Sequence, residues 1–358
     1  MALTQVRPEG LGFVNGRRNL IINGAMQVAQ RSTSLTVGDS TEYKTLDRYA
    51  IAINGTTAGR ATMSQATDAP SGFGSSMKFD VTTADTSIGD GEAFGFAQRI
   101  EGQNLQQLAK GTSDAKACTL SFYAKGTAKT YVVETRDANS RQVSATFSVT
   151  TSWQRFEITI PADTTGTIAD DNTTELQIIW WLHAGSDFTS GTLNTSWATS
   201  VNANRMVGCG SIFSSTDNEL LITGVQLEVG TNASDFEHRS FGDELAACQR
   251  YFTRIPRIDG TSGYTQVANG MGSATNNFIG VIHFPTEMRA NPTLTASGSF
   301  RVFNGGTLNP TAGPSRSSSS TVCMGITVAT GGGISTLNGL LLTLNNDSDA
   351  NLQFSAEL

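Results

Sequence analysis

Short runs in which apolar and polar side chains alternate recur along the middle of this 358-residue chain. In residues 118–125, the apolar Cys118, Leu120, Phe122 and Ala124 alternate with polar neighbours. A period of two residues is typical of a half-buried strand, and short strands with turn signals every ~8–12 residues indicate a sandwich or barrel. The other runs of this kind are residues 130–136, 143–149, 154–160 and 176–183. About ten such strands over residues 19–240 predict an all-β fold, an antiparallel jelly-roll β-sandwich.

The segments on either side of this sandwich differ from it. Residues 1–18 lack periodicity and are rich in glycine, which predicts an extended N-terminal arm. After the sandwich, Leu245, Cys248 and Phe252 lie on one helical stripe, Asp243 can cap the helix and Pro256 ends it. We therefore predict a short linking helix within residues 241–257. Residues 258–358 contain no lysine but several strand-like runs, and they predict a second, smaller β-sandwich.

The composition excludes several classes of protein. Charged residues are only 15% of the chain and the net charge is −7, so the sequence lacks the basic footprint of a nucleic-acid-binding protein. It also lacks a secretory signal pattern and any run of ~20 apolar residues, which predicts no membrane insertion. The four cysteines have no metal-site spacing, and we expect buried free thiols in a protein made in a cytosol.

The titratable residues indicate no catalytic centre. The three histidines lie outside any recognisable catalytic motif, so we predict no enzyme and no catalytic residue. Carboxylates cluster around residues 85–92 and again at Asp170, Asp171 and Glu175. We expect solvated loops at both places. Two alternatives stay open: a structural Ca²⁺ site, for which Asp170, Asp171 and Glu175 are weak candidates, and glycoside hydrolysis by paired carboxylates. No other cofactor is expected.

Aromatic residues on the polar side of the strands are more informative. Trp181 and Tyr123 lie on the faces that alternate toward solvent, and Trp197 lies in a polar loop. An exposed ring can stack on the apolar face of a sugar while neighbouring polar groups bind its hydroxyls. With His183 and Glu134 as polar neighbours, these residues are the candidate glycan-binding set. The alternative is that a second sheet, a loop or a neighbouring subunit covers the rings.

Several sequence blocks together resemble a family of bacteriophage minor structural proteins, the tips of tail fibres and appendages. The resemblance covers roughly residues 19–255. Its blocks are residues 19–26, 30–34, 46–49, 98–105, 119–125, 224–230, 236–239 and 244–252. The main domain of that family is similar to the jelly rolls of carbohydrate-binding modules. The resemblance implies a location in the virion, a β-sandwich and a homotrimer, and it transfers no catalytic motif.

The leading functional hypothesis is therefore a non-enzymatic phage virion protein, a tail-fibre or appendage adhesin. It would be assembled in the host cytoplasm, would contact other virion proteins through residues 1–18, and would bind host-surface carbohydrate as a multivalent trimer. The second hypothesis is a capsid decoration or connector protein whose rings are subunit contacts. The third is a polysaccharide depolymerase that uses one of the carboxylate clusters. No nucleic-acid partner is expected.

Overall fold

The computed structural model describes residues 18–256, 264–308, 310–347 and 349–358. The predicted anchoring arm lies outside these residues except for Arg18. Within the described ranges the protein is mostly β, with four antiparallel sheets and one α-helix longer than a single turn, as the sequence pattern predicts. No helix in these ranges is both long and apolar enough to cross a membrane.

Two six-stranded antiparallel sheets face each other in the N-terminal sandwich. In spatial order, the first sheet consists of β1 (Ser34–Val37), β3 (Arg60–Ala66), β4 (Ser76–Thr83), β12 (Glu219–Val229), β6 (Cys118–Gly126) and β9 (Gln154–Ile160). The second sheet consists of β11 (Ala198–Thr199), β8 (Arg141–Val149), β7 (Lys129–Asp137), β10 (Thr174–Ala184), β5 (Ala93–Glu101) and β2 (Ala50–Asn54). The orders β4-β12-β6-β9 and β5-β10-β7-β8 form the double Greek key of a jelly roll, which confirms the predicted fold class.

The core of this sandwich is built from the inward set of the alternating residues. Phe122 on the first sheet and Phe96 and Trp180 on the second are fully buried. The rings of Phe96 and Trp180 stack with centroids 5.0 Å apart, and Phe122 meets Trp180 edge-on at 5.9 Å. Burying each such ring contributes about 1.5–3 kcal/mol or more, so this aromatic stack is a major source of stability.

The outer face of the second sheet is covered by the chain itself. Between β10 and β12 the chain leaves the sheet, forms the one-turn helix α1 (Ser186–Thr189) and runs back across the strands. We call residues 185–210 the covering segment. Its Phe188 and Met206 form a second apolar cluster with Val132, Ile179 and Trp181 of the sheet, and all five are buried.

The C-terminal sandwich is smaller. Its three-stranded sheet contains β13 (Phe252–Pro256), β22 (Asn351–Ser355) and β16 (Thr293–Ser297). Its seven-stranded sheet contains β18 (Thr307–Leu308), β17 (Phe300–Phe303), β21 (Gly339–Leu344), β14 (Gln266–Ala274), β15 (Asn277–His283), β20 (Cys323–Ala329) and β19 (Ser315–Ser319). Both sheets contribute to one core that includes Phe278, Leu342 and Phe354.

The linking helix is shorter than its sequence pattern predicts. Helix α2 spans Phe241–Gln249, and Ser240 rather than Asp243 caps it, because the Ser240 hydroxyl accepts a hydrogen bond from the Asp243 amide. The predicted helical stripe extends to Phe252, but that residue begins β13, which pairs with β22. The β-branched and aromatic residues after the helix favour a strand once a partner strand is available.

All four cysteines lie in the described ranges and are free thiols, as expected. Cys118 and Cys248 are buried, whereas Cys209 and Cys323 are only half-buried. Burial raises the pKa of the Cys118 thiol to about 12 and of the Cys209 thiol to about 12, which keeps both protonated at neutral pH.

Candidate functional site

The outer face of the first sheet is the place where partly exposed aromatic rings collect. Tyr123 and Lys125 lie on β6 two residues apart, so both point to this face. The cross-strand neighbours of Tyr123 are Thr223 on β12 and Arg155 on β9. Both sheet neighbours are polar, and Tyr123 is therefore an aromatic residue within a polar face.

A glycine makes room for the rings on this face. The pairing of β12 with β6 shifts register between Thr223 and Gln226, and Gly224 lies in this bulge with a φ of +63°. A Cβ atom at this position would lie 2.7 Å from the ring of Phe73 and 2.9 Å from that of Tyr123. Gly224 therefore supplies both the left-handed backbone and the space that lets the two rings approach the strand.

Four aromatic side chains pack together over this bulge. The Phe73 ring centroid lies 5.5 Å from that of Tyr123, 5.0 Å from that of Phe236 and 5.3 Å from that of His238. Phe236 and His238 are themselves 4.9 Å apart. Phe73, Tyr123 and Phe236 are half-buried, and His238 is exposed. The cluster thus presents partly accessible aromatic surface to solvent.

A fifth aromatic residue, Trp153, lies close by and is bound to polar groups. Its indole Nε1–H donates to Asp68 Oδ1 at 3.1 Å, and Lys125 Nζ forms an ion pair with the same carboxylate. Lys125 Nζ also lies 5.6 Å from the Trp153 ring centroid. The hydrogen bond from Lys125, supported by the one from Trp153, holds the pKa of Asp68 below its usual value. We call Phe73, Tyr123, Trp153, Phe236 and His238 the aromatic patch.

The aromatic patch has the chemistry of a sugar platform. Ring surface is available for stacking on C–H groups, and Asp68, Lys125 and Arg155 supply an acceptor and donors beside it. Sites for neutral polar ligands combine apolar ring surface with a few placed polar groups in this way. Tyr123 is the one sequence-predicted site residue that the structure brings to this patch.

Trp181 and Glu134 do not form the expected exposed site. Trp181 is 4% exposed and Glu134 is fully buried. The Trp181 indole donates to Glu134 Oε2 at 2.7 Å, and Arg205 of the covering segment donates to both Glu134 oxygens at 3.0 and 2.9 Å. The expectation of an exposed Trp181 ring is wrong, because the covering segment lies across this face of the sheet.

His183 is also buried rather than exposed. Its Nδ1 lies 2.7 Å from Ser211 Oγ, and its Nε2 lies 3.3 Å from Glu92 Oε2. Burial lowers the pKa of His183, although Glu92 and Asp85 act in the opposite direction. His183 therefore belongs to an internal polar group at the end of β10 and not to the aromatic patch.

Trp197 is half-buried and held in place from two sides. Its indole Nε1–H donates to the Pro161 carbonyl at 2.7 Å, and Lys110 Nζ lies over the ring, 4.6 Å from its centroid. It packs against the main core of the sandwich. The ammonium covers one ring face, and Trp197 lies beside Pro161 and Lys110 rather than in the ring cluster around Tyr123.

The weak metal candidates are not brought together. Asp170 and Asp171 are exposed, whereas Glu175 is buried, and Asp171 Oδ1 accepts hydrogen bonds from the Thr173 amide and hydroxyl. Over the described ranges, the compact set of three residues that could hold a metal ion is a different one. It consists of Asp85, Glu92 and His183, whose ligand atoms all lie within 4.8 Å of one another.

Four residues of the aromatic patch were not found by pattern. Trp153 stands just before the alternating run of residues 154–160, and it is half-buried at the surface. Phe73 stands between two glycines, and Phe236 and His238 stand in a polar segment. An aromatic residue in a polar or glycine-rich loop is therefore a sequence signal for such a surface. Only the fold shows that these loops meet over Tyr123.

No family model matches the sequence, and the search of curated proteins returns no match. Among solved structures, the enzymatically active domain of tailspike protein 4 of bacteriophage CBA120 matches with 14% identity and a TM-score of 0.31, over 59% of this chain and 21% of that chain. The carbohydrate-binding module TmCBM61, solved with β-1,4-galactotriose, matches with 11% identity and a TM-score of 0.31, over 60% of this chain and 100% of that one. A family 11 carbohydrate-binding module of Clostridium thermocellum matches with 11% identity and a TM-score of 0.28, over 55% and 98%.

Proposed function

We propose that this chain is a glycan-binding protein and that the aromatic patch is its binding surface. The observation that carries the proposal is the grouping of Phe73, Tyr123, Trp153 and Phe236 as partly accessible rings beside the Asp68–Lys125 ion pair. The patch lies on the face of the jelly roll that the covering segment leaves free. A sugar would stack on the rings and exchange hydroxyl hydrogen bonds with Asp68, Lys125 and Arg155.

The expected affinity of a single patch is low. The surface is shallow, and each exposed hydrogen bond replaces one with water, so a Kd near 1 mM, or about −4 kcal/mol, is the natural scale. Linking several copies raises the overall affinity by ~10²–10⁴ if the sites can engage one polymer together. A homotrimer of this chain, repeated on a particle, would supply such copies.

We further propose that the chain works in a bacteriophage virion, as part of a tail fibre or appendage that contacts the host surface. Support comes from the sequence blocks that resemble phage minor structural proteins. In the fold these blocks contact one another: the Ile22 backbone exchanges two hydrogen bonds with the Gln98 side chain, and the Asn23 amide donates to Glu244. The blocks therefore build the sandwich and its junction with α2.

The same blocks contribute Tyr123, Phe236 and His238 to the patch, whereas Phe73 and Trp153 lie outside them. We expect relatives of this kind to share the scaffold and to differ in the sugar they bind. In this proposal the protein is not an enzyme, and its buried carboxylates form structural ion pairs. Glu134 binds Arg205, and Glu101 binds Arg250.

The test is binding of bacterial surface polysaccharides to the full chain on an array, followed by calorimetry with the best ligand. Trp153→Ala and Tyr123→Ala should each weaken binding at least 10-fold. Tyr264→Ala is the matched control, because Tyr264 is an exposed tyrosine of the C-terminal sandwich that stacks on Arg301. Absence of binding at millimolar ligand, or equal binding by all three variants, would overturn the proposal.

A further inference from the structure

A second polar cluster lies at the end of the jelly roll, apart from the aromatic patch. It joins the loop between β4 and β5, which carries Asp85 and Glu92, to His183 near the end of β10. Asp85 and His183 are buried, and the Glu92 side chain is 14% exposed. One imidazole and two carboxylates thus meet in a largely water-excluded place.

The distances fit tetrahedral coordination. With metal–ligand bonds of about 2.1 Å, neighbouring ligands of a tetrahedral zinc site lie about 3.4 Å apart. His183 Nε2 and Glu92 Oε2 are 3.3 Å apart, close to this value. The Asp85 carboxylate lies within 4.8 Å of both, so a shift of at most ~1.4 Å would complete a three-ligand set, with a fourth position for water.

The surrounding groups orient the ligands. Ser211 Oγ lies 2.7 Å from His183 Nδ1, so it can accept a hydrogen bond from Nδ1–H and leave the Nε2 lone pair directed at the carboxylates. Asp85 accepts hydrogen bonds from the Thr57 hydroxyl at 2.8 Å and from the Ala58 amide at 2.9 Å. Metal ligands in proteins are commonly held by such hydrogen bonds, and these fix the rotamers before a metal arrives.

The charge and the ligand types select the class of cation. Two carboxylates and a neutral imidazole carry a charge of −2, which one divalent cation balances. The imidazole suits zinc and its transition-metal neighbours, whereas Ca²⁺ and Mg²⁺ prefer sites made only of oxygen ligands. We propose that Asp85, Glu92 and His183 bind a Zn²⁺-class divalent cation. The cation would tie the β4–β5 loop to the end of β10.

The test is calorimetric titration of the tag-free, chelator-treated full chain with ZnCl₂, CaCl₂ and MgCl₂. We expect saturable binding of one Zn²⁺ and much weaker heats for Ca²⁺ and Mg²⁺. Glu92→Gln keeps the shape of a partly exposed side chain and should weaken Zn²⁺ binding at least 10-fold. Ser211→Ala removes the orienting group and should weaken it by about 10-fold.

Two controls separate this site from incidental binding. Asp90→Asn removes an exposed neighbouring carboxylate that accepts from Ser186 Oγ, and His283→Gln removes an exposed imidazole on β15; both should bind Zn²⁺ like the parent chain. With Co²⁺ as the probe, the visible bands of tetrahedral coordination should appear in the parent and be lost in Glu92→Gln. Absence of saturable Zn²⁺ binding, unchanged affinity in Glu92→Gln, or equal affinity for Ca²⁺ would overturn the proposal.

Discussion

Arg205 donates two hydrogen bonds to the fully buried Glu134, one to each carboxylate oxygen, at 3.0 and 2.9 Å. The pair joins the covering segment to β7, in the middle of the second sheet. The Arg205 guanidinium also lies 5.4 Å from the Trp181 ring centroid and 5.6 Å from that of Phe188. This ion pair and the apolar cluster beside it close the face that the alternating pattern assigned to solvent.

Breaking this pair from one side should destabilise the protein strongly. Arg205→Leu leaves a buried carboxylate with a single indole donor, and loss of one partner of a buried pair costs about 3–5 kcal/mol. Urea unfolding followed by circular dichroism measures the change. Arg155→Leu is the control, since its partner Glu157 is half exposed and the pair contributes about 1 kcal/mol or less. Equal losses for the two variants would contradict a special role for the Glu134 pair.

Gly224→Ala should disturb the aromatic patch as well as the fold. A non-glycine residue at positive φ costs about 1–2 kcal/mol, and the new methyl group would also collide with Phe73 and Tyr123. Gly72→Ala is a matched control, because Gly72 has a φ of +92° but open space around its Cβ position. We expect Gly224→Ala to lose more stability in urea unfolding and to change the near-ultraviolet circular dichroism of the rings. Identical losses would show that the collision does not occur.

The buried Asp163 should make the stability depend on acid pH. Burial alone would raise its pKa, but hydrogen bonds from Arg141 and Lys110 outweigh that effect and hold the pKa well below the usual 3.8. The native state therefore favours the ionised form. The contribution of ionised Asp163 to the free energy of unfolding is complete above its pKa in the unfolded chain. It is lost as the pH falls through 3.8 toward the lower pKa of Asp163 in the folded protein.

Asp163→Asn should accordingly lose about 3 kcal/mol at pH 7, because Lys110 and Arg141 lose a buried partner. The difference between the parent and the variant should shrink as the pH is lowered below about 4. Urea unfolding from pH 7 to pH 3 measures it, with the exposed Asp114→Asn as control. A difference that stays constant over this range would show that Asp163 is not the titrating group.

Glu357 should couple the two sandwiches. Its carboxylate binds the buried Arg48 and also Arg31, at 3.0 Å, and both arginines belong to the N-terminal sandwich. Glu357→Gln should lower stability by about 3 kcal/mol, because the Arg48 guanidinium is buried over the Tyr251 ring and loses its counter-ion.

Thermal unfolding by calorimetry measures this coupling. We expect one transition for the parent chain and a broadened or divided transition for Glu357→Gln, since fewer contacts hold the sandwiches together. Glu287→Gln, an exposed glutamate of the C-terminal sandwich, should behave like the parent. A single unshifted transition in Glu357→Gln would contradict the coupling.

The alternation of residues was sufficient to predict the strands, because each strand with one face in the core must repeat every two residues. Residues 118–125 and 176–183 fall within β6 and β10, and Leu120, Phe122, Ile178 and Trp180 are buried as their period indicates. The end of α2 was not predictable in this way. Phe252 fits the helical stripe, but it pairs with Ser355, which lies about a hundred residues further along the chain. The local pattern does not contain that partner.

The candidate site shows more clearly which features local sequence pattern predicts and which depend on distant parts of the chain. Tyr123 and Trp181 both alternate toward the outer face of their strands, yet Tyr123 reaches solvent and Trp181 is covered by Phe188 and Met206. Alternation with period two indicates that a side chain points away from the core between the two sheets. It does not indicate whether another segment of the chain covers the outer face of the sheet. The all-β class, the jelly roll and the second sandwich were predicted from local pattern, because the alternation that marks a strand lies in consecutive residues. Which outer face stays accessible, and which rings and carboxylates meet there, depended on loops that return from distant parts of the chain.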